Sequence, residues 1–430
     1  MESERAEKIP RSMMLQIILI GISAMGIAIF FYFEGGFFNT YITHVLDLDY
    51  IFVAWMVSLS AIMGLIFVFV FGVISDNTRT KIGRRRPYFP FGIIAGIAMV
   101  MFAFSPDFWW CIVFDVLIIG VAINAYLAVH KAIIPDVIDI EYRGRTNGII
   151  GLMETIANIV PLALTLLVYE LYTEERSDGG VILNQQGHFI LLLLGGLAVI
   201  ICSILGFLFI REKEFGSELP PKKRFMEELR DTFNMVELKK HNEFFKFILA
   251  ATIYNVATKI ITIYLFNYLF NLGLETIELI LGIIILGPII IGFTLFLGKY
   301  IDKHGRKKPI APILILSSIG GVLMPLAGTG DNINIFLLLI GAILILFGSI
   351  CLMVPINTWR QDLLPPEKRG QFIGILNMTT TLNQIPAAFL AAIIADTYGV
   401  EWIFAIIPFF FLSALPLFLR VKETLPTQED

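Results

Sequence analysis

Five charged side chains lie inside long runs of otherwise apolar residues. They are Glu34, Asp115, Lys131, Glu154 and Lys259. An ionisable group in a membrane-length apolar segment is energetically costly unless it is paired or hydrated, so each of these residues is a candidate for function. A carboxylate in such a place can accept a proton or a cation, and a lysine can balance that charge or hold a polar solute. These residues therefore indicate the binding of ions and small solutes.

The clearest polar stripe surrounds Lys259. Asn255, Thr258 and Thr262 stand four residues before it, one before it and three after it, in a run that is otherwise apolar. Such a stripe on a helix is expected to face a water-filled cavity. Glu34 stands 225 residues earlier, at nearly the equivalent place in the first half. We hypothesise that Glu34 accepts a proton or cation while Lys259 balances charge; alternatively, Glu34 only reaches the outer membrane interface.

The other three charges allow two interpretations each. Lys131 shares a helix face with Asn124, seven residues earlier, and either faces a solute or reaches the cytoplasm as an interfacial side chain. Glu154 is expected at a similar depth on the next span, so we predict a Lys131–Glu154 pair, as a structural contact or a protonation-dependent gate. Asp115 is either a second proton site or an acid near the outer surface.

The chain is apolar enough to cross a membrane many times. Of its 430 residues, 57% are hydrophobic and only 16% are charged. This composition excludes a nucleic-acid binder, a disordered protein and an ordinary soluble enzyme. A spanning helix needs about 20 apolar residues, so the apolar content is enough for twelve. The predicted spans lie at about 13–38, 50–74, 88–105, 108–134, 147–172, 188–210, 244–271, 277–300, 309–327, 333–358, 371–395 and 401–419.

The distribution of basic residues predicts that both termini are cytoplasmic. With the N-terminus inside, the cytoplasmic segments and span ends receive all of the 32 Lys and Arg residues except Arg176 and Lys259. Basic residues near span ends stay on the cytoplasmic side, which supports this orientation. No small-residue cleavage site ends the first uncharged run, 13–33, so we interpret it as a transmembrane helix. We expect a multi-pass protein of the cell membrane.

The chain repeats itself at an offset of 226 residues. At this offset two separate loops match without a gap: Gly72 with Gly298, Asp76 with Asp302, Asp136 with Asp362, and Gly144 with Gly370. The predicted domains are therefore two six-helix bundles, 1–210 and 244–430, joined by a basic, partly amphipathic linker, 211–243, expected on the membrane surface. The superposed helices run in the same direction, and parallel repeats are the architecture of an alternating-access carrier.

Each half carries the same kind of loop after its second span. The first copy contains Gly72, Asp76, Gly83, Arg84, Arg85 and Arg86, and the second contains Gly298, Asp302, Gly305 and Arg306. The first glycine of each copy is expected to permit a close helix contact, and the acid to hold the loop against a neighbouring helix N-terminus. Such contacts could break and reform as the halves move, so we predict that these loops act as gates.

These loops resemble the signature loop of the major facilitator superfamily. The longer form Gly83-Arg84-Arg85-Arg86-Pro87-Tyr88 resembles the sucrose–proton symporters of plants and their animal relatives, a branch near the glycoside–pentoside–hexuronide cation symporters. The animal relatives also carry a Glu in the first span, as this chain does at Glu34. The resemblance is best over the first five spans. It implies a carrier that takes up a sugar or glycoside with a proton or a sodium ion.

A second patch both supports this resemblance and departs from it. Asn124, Lys131 with the alanine after it, and Asp136 follow the spacing of Asn, Arg-Ala and Asp in the plant proteins. The resemblance therefore gives Lys131 a solute-facing role. The plant proteins also carry an Asp one turn before the Asn, where this chain has Gly120. Asp115 would lie about 180° around a regular helix from Asn124, so it does not replace that acid, and proton and sodium coupling both stay open.

Several functions are disfavoured by patterns that the sequence lacks. It contains no G-x-x-x-x-G-K-[ST] loop, no H-E-x-x-H motif and no nucleophile elbow, so we expect no enzyme, no nucleotide-driven pump and no cofactor. Cys111, Cys202 and Cys351 are widely separated, which indicates neither a disulfide nor a zinc site.

We therefore predict an all-α secondary carrier, monomeric in the lipid bilayer, that binds a small solute such as a sugar. The amides of Asn377, Asn383 and Gln384 on the eleventh span suit sugar hydroxyls, although they also suit hydrogen bonds between helices. The alternatives are a carrier for an organic acid or hexuronate, and a non-transporting receptor built on a carrier fold.

Overall fold

Most of the described chain is α-helical. The computed structural model describes residues 9–176, 180–212, 241–328, 333–364 and 369–425. Within them, eleven helices are long and apolar enough to cross a membrane, and the shorter apolar helix Arg86–Phe102 lies where the third span is expected. Almost all of the predicted amphipathic linker lies outside the described residues. The predicted all-α, membrane-spanning fold is confirmed.

The helices are numbered α1 to α12 along the chain. They are α1 (Arg11–His44), α2 (Tyr50–Asn77), α3 (Arg86–Phe102), α4 (Phe108–Ile134), α5 (Arg143–Tyr172), α6 (Gln185–Phe209), α7 (Asn242–Leu272), α8 (Thr276–His304), α9 (Ile310–Gly328), α10 (Ile335–Leu363), α11 (Phe372–Tyr398) and α12 (Val400–Leu419). A short hairpin that the sequence did not predict follows α5, with strands β1 (Thr173–Glu175) and β2 (Val181–Leu183).

The chain divides into two compact units. Unit 1 comprises residues 1–41, 62–172 and 183–225, and unit 2 comprises residues 42–61, 173–182 and 226–430. The end of α1 and the first part of α2 therefore group with unit 2, although they come from the first half of the sequence. The domain boundaries at 210 and 243 stay predictions.

The same helix pairs pack within the two units. In unit 1, α1 packs against α5 and α6, and α3 packs against α4 and α6. In unit 2, α7 packs against α11 and α12, and α9 packs against α10 and α12. Adding six to each helix number of the first set gives the second set. The two halves are therefore parallel repeats, as the 226-residue offset predicts.

Two glycines bring the backbones of α3 and α6 together. A Cβ at Gly96 would lie 2.5 Å from the backbone oxygen of Gly196, and a Cβ at Gly196 would lie 2.6 Å from the backbone oxygen of Gly96. Because the hydrophobic effect does not drive helices together within lipid, their association depends on close packing of this kind. A side chain at either position would force the two helices apart.

The glycines that begin the two signature loops do not mark such contacts. A Cβ at Gly72 or Gly298 would meet no atom within 4 Å, so the predicted close helix contact at these two positions is wrong. Both glycines lie where the surface of their unit is open. The steric requirement falls instead on Gly83 and Gly305, whose φ angles of +119° and +96° lie in the region that favours glycine.

Within the described residues, three helices contain π-helical segments. These are Glu34–Phe38 in α1, Ile112–Ile119 in α4 and Phe347–Cys351 in α10. A π-helical turn bonds residue i to residue i+5, which changes the direction of side chains relative to a regular helix, and it occurs often at functional sites. Two of these segments carry the intramembrane acids Glu34 and Asp115.

Replacing Gly96 with valine is expected to lower the thermal stability of the protein in detergent. The new side chain would overlap the Gly196 carbonyl, and overpacking of this kind costs about 1–3 kcal/mol. Gly151→Val in α5 is the matched control, because a Cβ at Gly151 would meet no atom within 4 Å. Equal unfolding temperatures for the two variants would contradict the packing argument.

Candidate functional site

Two carboxyl groups meet inside unit 1. Glu34 begins the π-helical segment of α1, Asp115 lies in that of α4, and the two carboxyl groups lie close enough to interact electrostatically. Asp115 is only 2% exposed, and Glu34 is half-buried. A proton held by either group would relieve the repulsion between two carboxylate charges kept close together. The arrangement can therefore hold and release a proton.

The pairing of these acids does not follow from regular helix geometry. The angle of about 180° between Asp115 and Asn124 assumes 100° per residue throughout α4. In the structure, the Gly120 N–H bonds the carbonyl of Asp115, five residues earlier, so the turn between them is wider. The sequence identified both acids as candidates, but the π-helical turn determines which groups Asp115 can reach.

Asn124 takes part in a helix contact within unit 1. Its side-chain Nδ2 donates to the Gly120 carbonyl at 2.9 Å. A Cβ at Gly64 of α2 would lie 3.4 Å from the same amide, so α2 and α4 approach closely there. The Asn124 amide therefore supports the packing of the helix that carries Asp115. Its predicted role in solute binding stays a prediction.

Lys131 and Glu154 do not form the predicted pair. Both side chains are exposed on the surface of unit 1, and no salt bridge joins them among the residues that the structure describes. The prediction used only their similar depths in adjacent spans, and depth does not fix the direction in which a side chain points. The Lys131 ammonium is therefore not neutralised by Glu154.

Lys259 is half-buried on α7 in unit 2. Thr258 donates to the carbonyl of Asn255 at 2.9 Å, and Thr262 donates to the carbonyl of Lys259 at 3.1 Å. Both hydroxyl protons thus bond the helix backbone. In the described part of the chain, no carboxylate pairs with the Lys259 ammonium. A cation at this depth needs water or the anionic group of a bound solute.

A buried ion-pair network fixes the signature loop of unit 1. Arg84 and Arg85 both bind Asp136, and each Nε lies 2.9 Å from the same carboxylate oxygen. Arg85 also donates to Asp76 and to the Ser75 hydroxyl. Arg85 and Asp136 are 4% and 6% exposed, so removing either one would leave a buried charge of the network with one partner fewer. Burial alone would lower the pKa of Arg84, but its hydrogen bond to Asp136 raises it.

A carboxylate outside the predicted motif closes this loop. Glu212, three residues after α6, accepts hydrogen bonds from the backbone N–H groups of Arg84, Arg85 and Arg86 at 2.8–2.9 Å. Successive N–H groups pointing to one place form a concave site for an anion. A Cβ at Gly83 would lie 2.3 Å from the Glu212 carboxylate, so glycine is required beside it.

Unit 2 contains a smaller version of the same arrangement. Glu423, four residues after α12, accepts hydrogen bonds from the backbone N–H groups of Arg306 and Lys307 at 3.1 and 2.8 Å. A Cβ at Gly305 would lie 2.5 Å from the Glu423 carboxylate. The Arg306 Nε donates to Asp362 at 3.2 Å, as Arg84 does to the equivalent acid of unit 1.

The sequence contained a signal for these two acids that our motif analysis missed. A basic residue followed by glutamate stands just after the last helix of each half, as Arg211-Glu212 and Lys422-Glu423. The two pairs are 211 residues apart, which differs from the 226-residue offset of the loops. An ungapped comparison therefore did not align them.

At the other end of α2 from the signature loop, Asp396 caps the helix within unit 2. Its carboxylate accepts hydrogen bonds from the backbone N–H groups of Tyr50 and Ile51 at 2.8 and 3.0 Å. The first N–H groups of a helix lack intrahelical partners and carry partial positive charge, so a carboxylate is stabilised there. Beside the cap, Asn267 donates to the Thr43 hydroxyl at 2.9 Å. These contacts hold residues 42–61 to unit 2.

The comparison with known proteins agrees with this architecture. The sequence profile of the Major Facilitator Superfamily matches residues 17–384 and 290–430, which together exceed half of the chain. This chain belongs to the Major Facilitator Superfamily. It is therefore a multi-pass membrane protein of a superfamily of transporters, as the resemblance of its loops predicted.

Related sequences in this superfamily align with this chain over only part of their own length. The chain is 33% identical over 126 residues to Multidrug resistance protein 3 of Bacillus subtilis, covering 29% of this chain and 23% of that protein. It is 20% identical over 227 residues to the General alpha-glucoside permease of Schizosaccharomyces pombe, covering 49% of this chain and 39% of that protein. The chain thus spans less than half the length of the relatives it matches.

Solved structures show the same fold over nearly the whole chain. The nucleoside transporter NupG has a TM-score of 0.69 at 13% identity, covering 94% of this chain and 99% of that one. The inward open xylose transporter XylE from E. coli has a TM-score of 0.64 at 13% identity, covering 97% and 98%. At such low identity the likeness concerns the fold alone.

Replacing Glu423 with glutamine is expected to loosen the signature loop of unit 2. Burial alone would raise the pKa of Glu423, but backbone N–H donors, including those of Lys307 and Arg306, hold it below the ordinary 4.5. The carboxylate therefore stabilises the loop fully above about pH 4.5, and this contribution is lost as the pH falls through the lower folded value. In the native protein, the Arg306 and Lys307 backbone amides should lose hydrogen-exchange protection as the pH falls. In Glu423→Gln their protection should not change over this pH range.

Asp302→Asn is the control for this measurement. Asp302 is 74% exposed and lies 3.8 Å from Arg306, so its charge should contribute little. If Glu423→Gln and the native protein had the same protection at neutral pH, the proposed stabilisation of the loop by Glu423 would be wrong.

Proposed function

We propose that this carrier takes up a sugar or glycoside together with a proton. The observation that carries the proposal is the proximity of two buried or half-buried acids, Glu34 and Asp115, on the π-helical segments of α1 and α4 in unit 1. Ionising both groups would place two negative charges side by side in a poorly hydrated site, so the pair favours holding one proton. A conformational state that hydrates the pair would release the proton, which links protonation to the choice between states.

Sodium is the other candidate for the coupling ion. Two carboxylates can also supply oxygen ligands to a hard cation. The two ions lead to different results in transport, since only proton coupling changes the pH inside a vesicle. The experiment below therefore decides between them.

The sugar is supported by similarity and by side-chain chemistry. The signature loop resembles that of sucrose symporters, and the longest of the sequence matches reported above is to a protein named as an alpha-glucoside permease. The amides of Asn377 and Gln384 on α11 are suitable partners for hydroxyl groups. The matches to Multidrug resistance protein 3 and to the efflux transporter pyiT of Pyricularia grisea favour a rival function, the export of organic compounds.

The signature loops and the helix cap are suited to act as gates. With both termini in the cytoplasm of a cell, the Arg84–Asp136 and Arg306–Asp362 pairs would lie on the inner side, and the Asp396 cap on the outer side. Ion pairs and caps can break and reform, so each can stabilise one state of an alternating-access cycle. The carrier would work as a monomer in the cell membrane.

Proteoliposomes with a pH-sensitive dye inside test the proposed coupling. The native protein, challenged with a panel of disaccharides, pentosides and hexuronates, is expected to acidify the lumen as solute enters. Glu34→Gln and Asp115→Asn should each abolish acidification. Each variant replaces one of the two carboxyl groups by an amide, so the pair can no longer hold and release a proton. Glu170→Gln, an exposed acid on α5, is the control and should behave as the native protein does.

Each contrary result has a defined meaning. Acidification that persists in Glu34→Gln would remove the carboxyl pair from the mechanism. Uptake that requires sodium and moves no proton would replace the coupling ion. If no sugar on the panel is taken up, the sugar assignment is wrong and the rival export function is the next to test.

Removing the helix cap is expected to loosen the contacts of residues 42–61. Asp396→Ala leaves the Tyr50 and Ile51 N–H groups without their acceptor, which costs about 0.5–2 kcal/mol. A cysteine placed at Asn267, a side chain that is 1% exposed, should then react severalfold faster with a membrane-impermeant maleimide. Asp396→Asn keeps one acceptor oxygen in place of the two that bind Tyr50 and Ile51, so its labelling rate should fall between those of the native residue and Asp396→Ala. Equal labelling of the cysteine at position 267 with Asp, Ala or Asn at position 396 would show that the cap does not hold residues 42–61.

A further inference from the structure

A cavity lies between the end of α10 and the beginning of α11 in unit 2. Its volume is about 510 Å³, within the range of about 300–1,000 Å³ that small-molecule sites occupy. Its lining includes Arg360, Gln361 and Asp362 from α10, and Ile373, Leu376 and Asn377 from α11. The three residues of α11 stand three and four positions apart, so they share one face of that helix. The cavity therefore brings side chains of both helices to one place.

The cavity lies at the end of unit 2 that carries the signature loop. Asp362, in its wall, accepts hydrogen bonds from the Arg306 Nε at 3.2 Å and from the Thr424 hydroxyl at 2.8 Å. The carboxylate of Asp362 therefore already has a cationic partner in the loop. It does not serve as the counter-charge of the cavity.

Arg360 brings a positive charge to the cavity that the described residues do not neutralise. Its side chain is half-buried, and within the described ranges its guanidinium donates to no carboxylate, carbonyl or hydroxyl oxygen. A guanidinium stays charged and presents its N–H donors as a planar fork, which matches the two oxygens of a carboxylate. Arg360 is therefore suited to bind a carboxylate that comes from outside the described chain.

Two amides extend this donor set. Gln361 and Asn377 are exposed in the cavity wall, and their side chains have no hydrogen-bond partner among the described residues. Amides both donate and accept hydrogen bonds, so they can bind the hydroxyl groups of a ligand. Beside them, Ile373 and Leu376 supply an apolar surface for its carbon skeleton.

The polar face of α11 indicates that the cavity opens to water rather than to lipid tails. Asn377, Thr380 and Gln384 follow one another at intervals of three and four residues, so they line one face of the helix inwards from the cavity. Polar side chains within a span face protein or water, because lipid tails cannot satisfy them. A hydrated cavity continuous with such a face favours a dissolved solute over a lipid as the ligand.

We propose that this cavity binds the transported solute as a small hydroxylated organic acid. Arg360 binds its carboxylate, and the amides of Gln361 and Asn377 bind its hydroxyl groups. One guanidinium balances one negative charge, so a monocarboxylate fits the site better than a phosphate monoester, which carries almost two. This assignment rests on the carrier function proposed above and adds a charge to the class of its solute.

Protection of a cysteine from labelling tests the site directly. Ile373→Cys places a thiol in the cavity wall, where the native side chain is 44% exposed. Glucuronate should slow its reaction with a water-soluble maleimide severalfold in detergent, and glucose, which lacks the carboxylate, should protect at least about tenfold less tightly. Leu419→Cys is the matched control, because Leu419 is 45% exposed at the end of α12 and does not line the cavity.

Substitutions of the cavity residues should change this protection in a defined order. In the Ile373→Cys protein, Arg360→Gln should abolish protection by glucuronate, Arg360→Lys should retain part of it, and Asn377→Leu should weaken it severalfold. Arg420→Gln is the control for charge, since Arg420 is exposed at the same end of unit 2. That placement follows from the Trp359 Nε1, which donates to the Lys422 carbonyl at 3.0 Å.

Three results would overturn the proposal. They are equal protection by glucose and glucuronate, protection that survives in Arg360→Gln, and protection that Arg420→Gln removes equally well. Protection by short-chain phosphatidylglycerol but not by glucuronate would also overturn it, because the cavity would then hold a lipid headgroup.

The labelling assay separates this proposal from that of proton coupling. If glucuronate protects through Arg360 but its uptake into proteoliposomes moves no proton, the site stands and the coupling mechanism fails. If glucose uptake acidifies the lumen and glucuronate gives no protection, the coupling stands and the site fails.

Discussion

A charge inside a bilayer must be neutralised, hydrated or protonated, and this constraint accounts for the polar architecture of both units. In unit 1, Glu34 and Asp115 lie close together, so that a proton on either one would relieve their repulsion. Arg85 meets it at the end of the bundle by binding Asp136 and Asp76. The Lys259 ammonium pairs with no carboxylate in the described part of the chain, and the neighbouring Thr262 hydroxyl donates to the helix backbone. Its charge must therefore be hydrated by water or neutralised by a solute.

The repeat supplies the frame on which these different solutions are placed. The same helix pairs pack in both units, and each signature loop closes around a glutamate that follows the last helix, Glu212 or Glu423. The intramembrane groups do not follow the repeat. Glu34 and Asp115 lie in unit 1, whereas Lys259 lies in unit 2. A repeated frame thus carries different intramembrane charges in its two halves.

The fold could be predicted from the sequence because its signals are local or periodic: apolar runs of membrane length, and two loops at one offset. The contacts of the site depend on the direction of each side chain, which these signals do not fix. Lys131 and Glu154 were paired from depth alone and do not meet. Asp115 lies in a π-helical segment, so the angle of 100° per residue does not give the direction of its side chain. Asp396 was missed because it binds backbone N–H groups, which no side-chain motif reveals.

The proposed proton coupling also bears on the force that drives uptake. A solute with one carboxylate, accompanied by one proton, carries no net charge across the membrane. The membrane potential does work of about 2.3 kcal/mol per elementary charge at 100 mV, and it would do none on this neutral pair. The pH gradient alone would then set the accumulation. A neutral sugar with one proton would respond to both forces, so the charge of the solute decides which forces drive its accumulation.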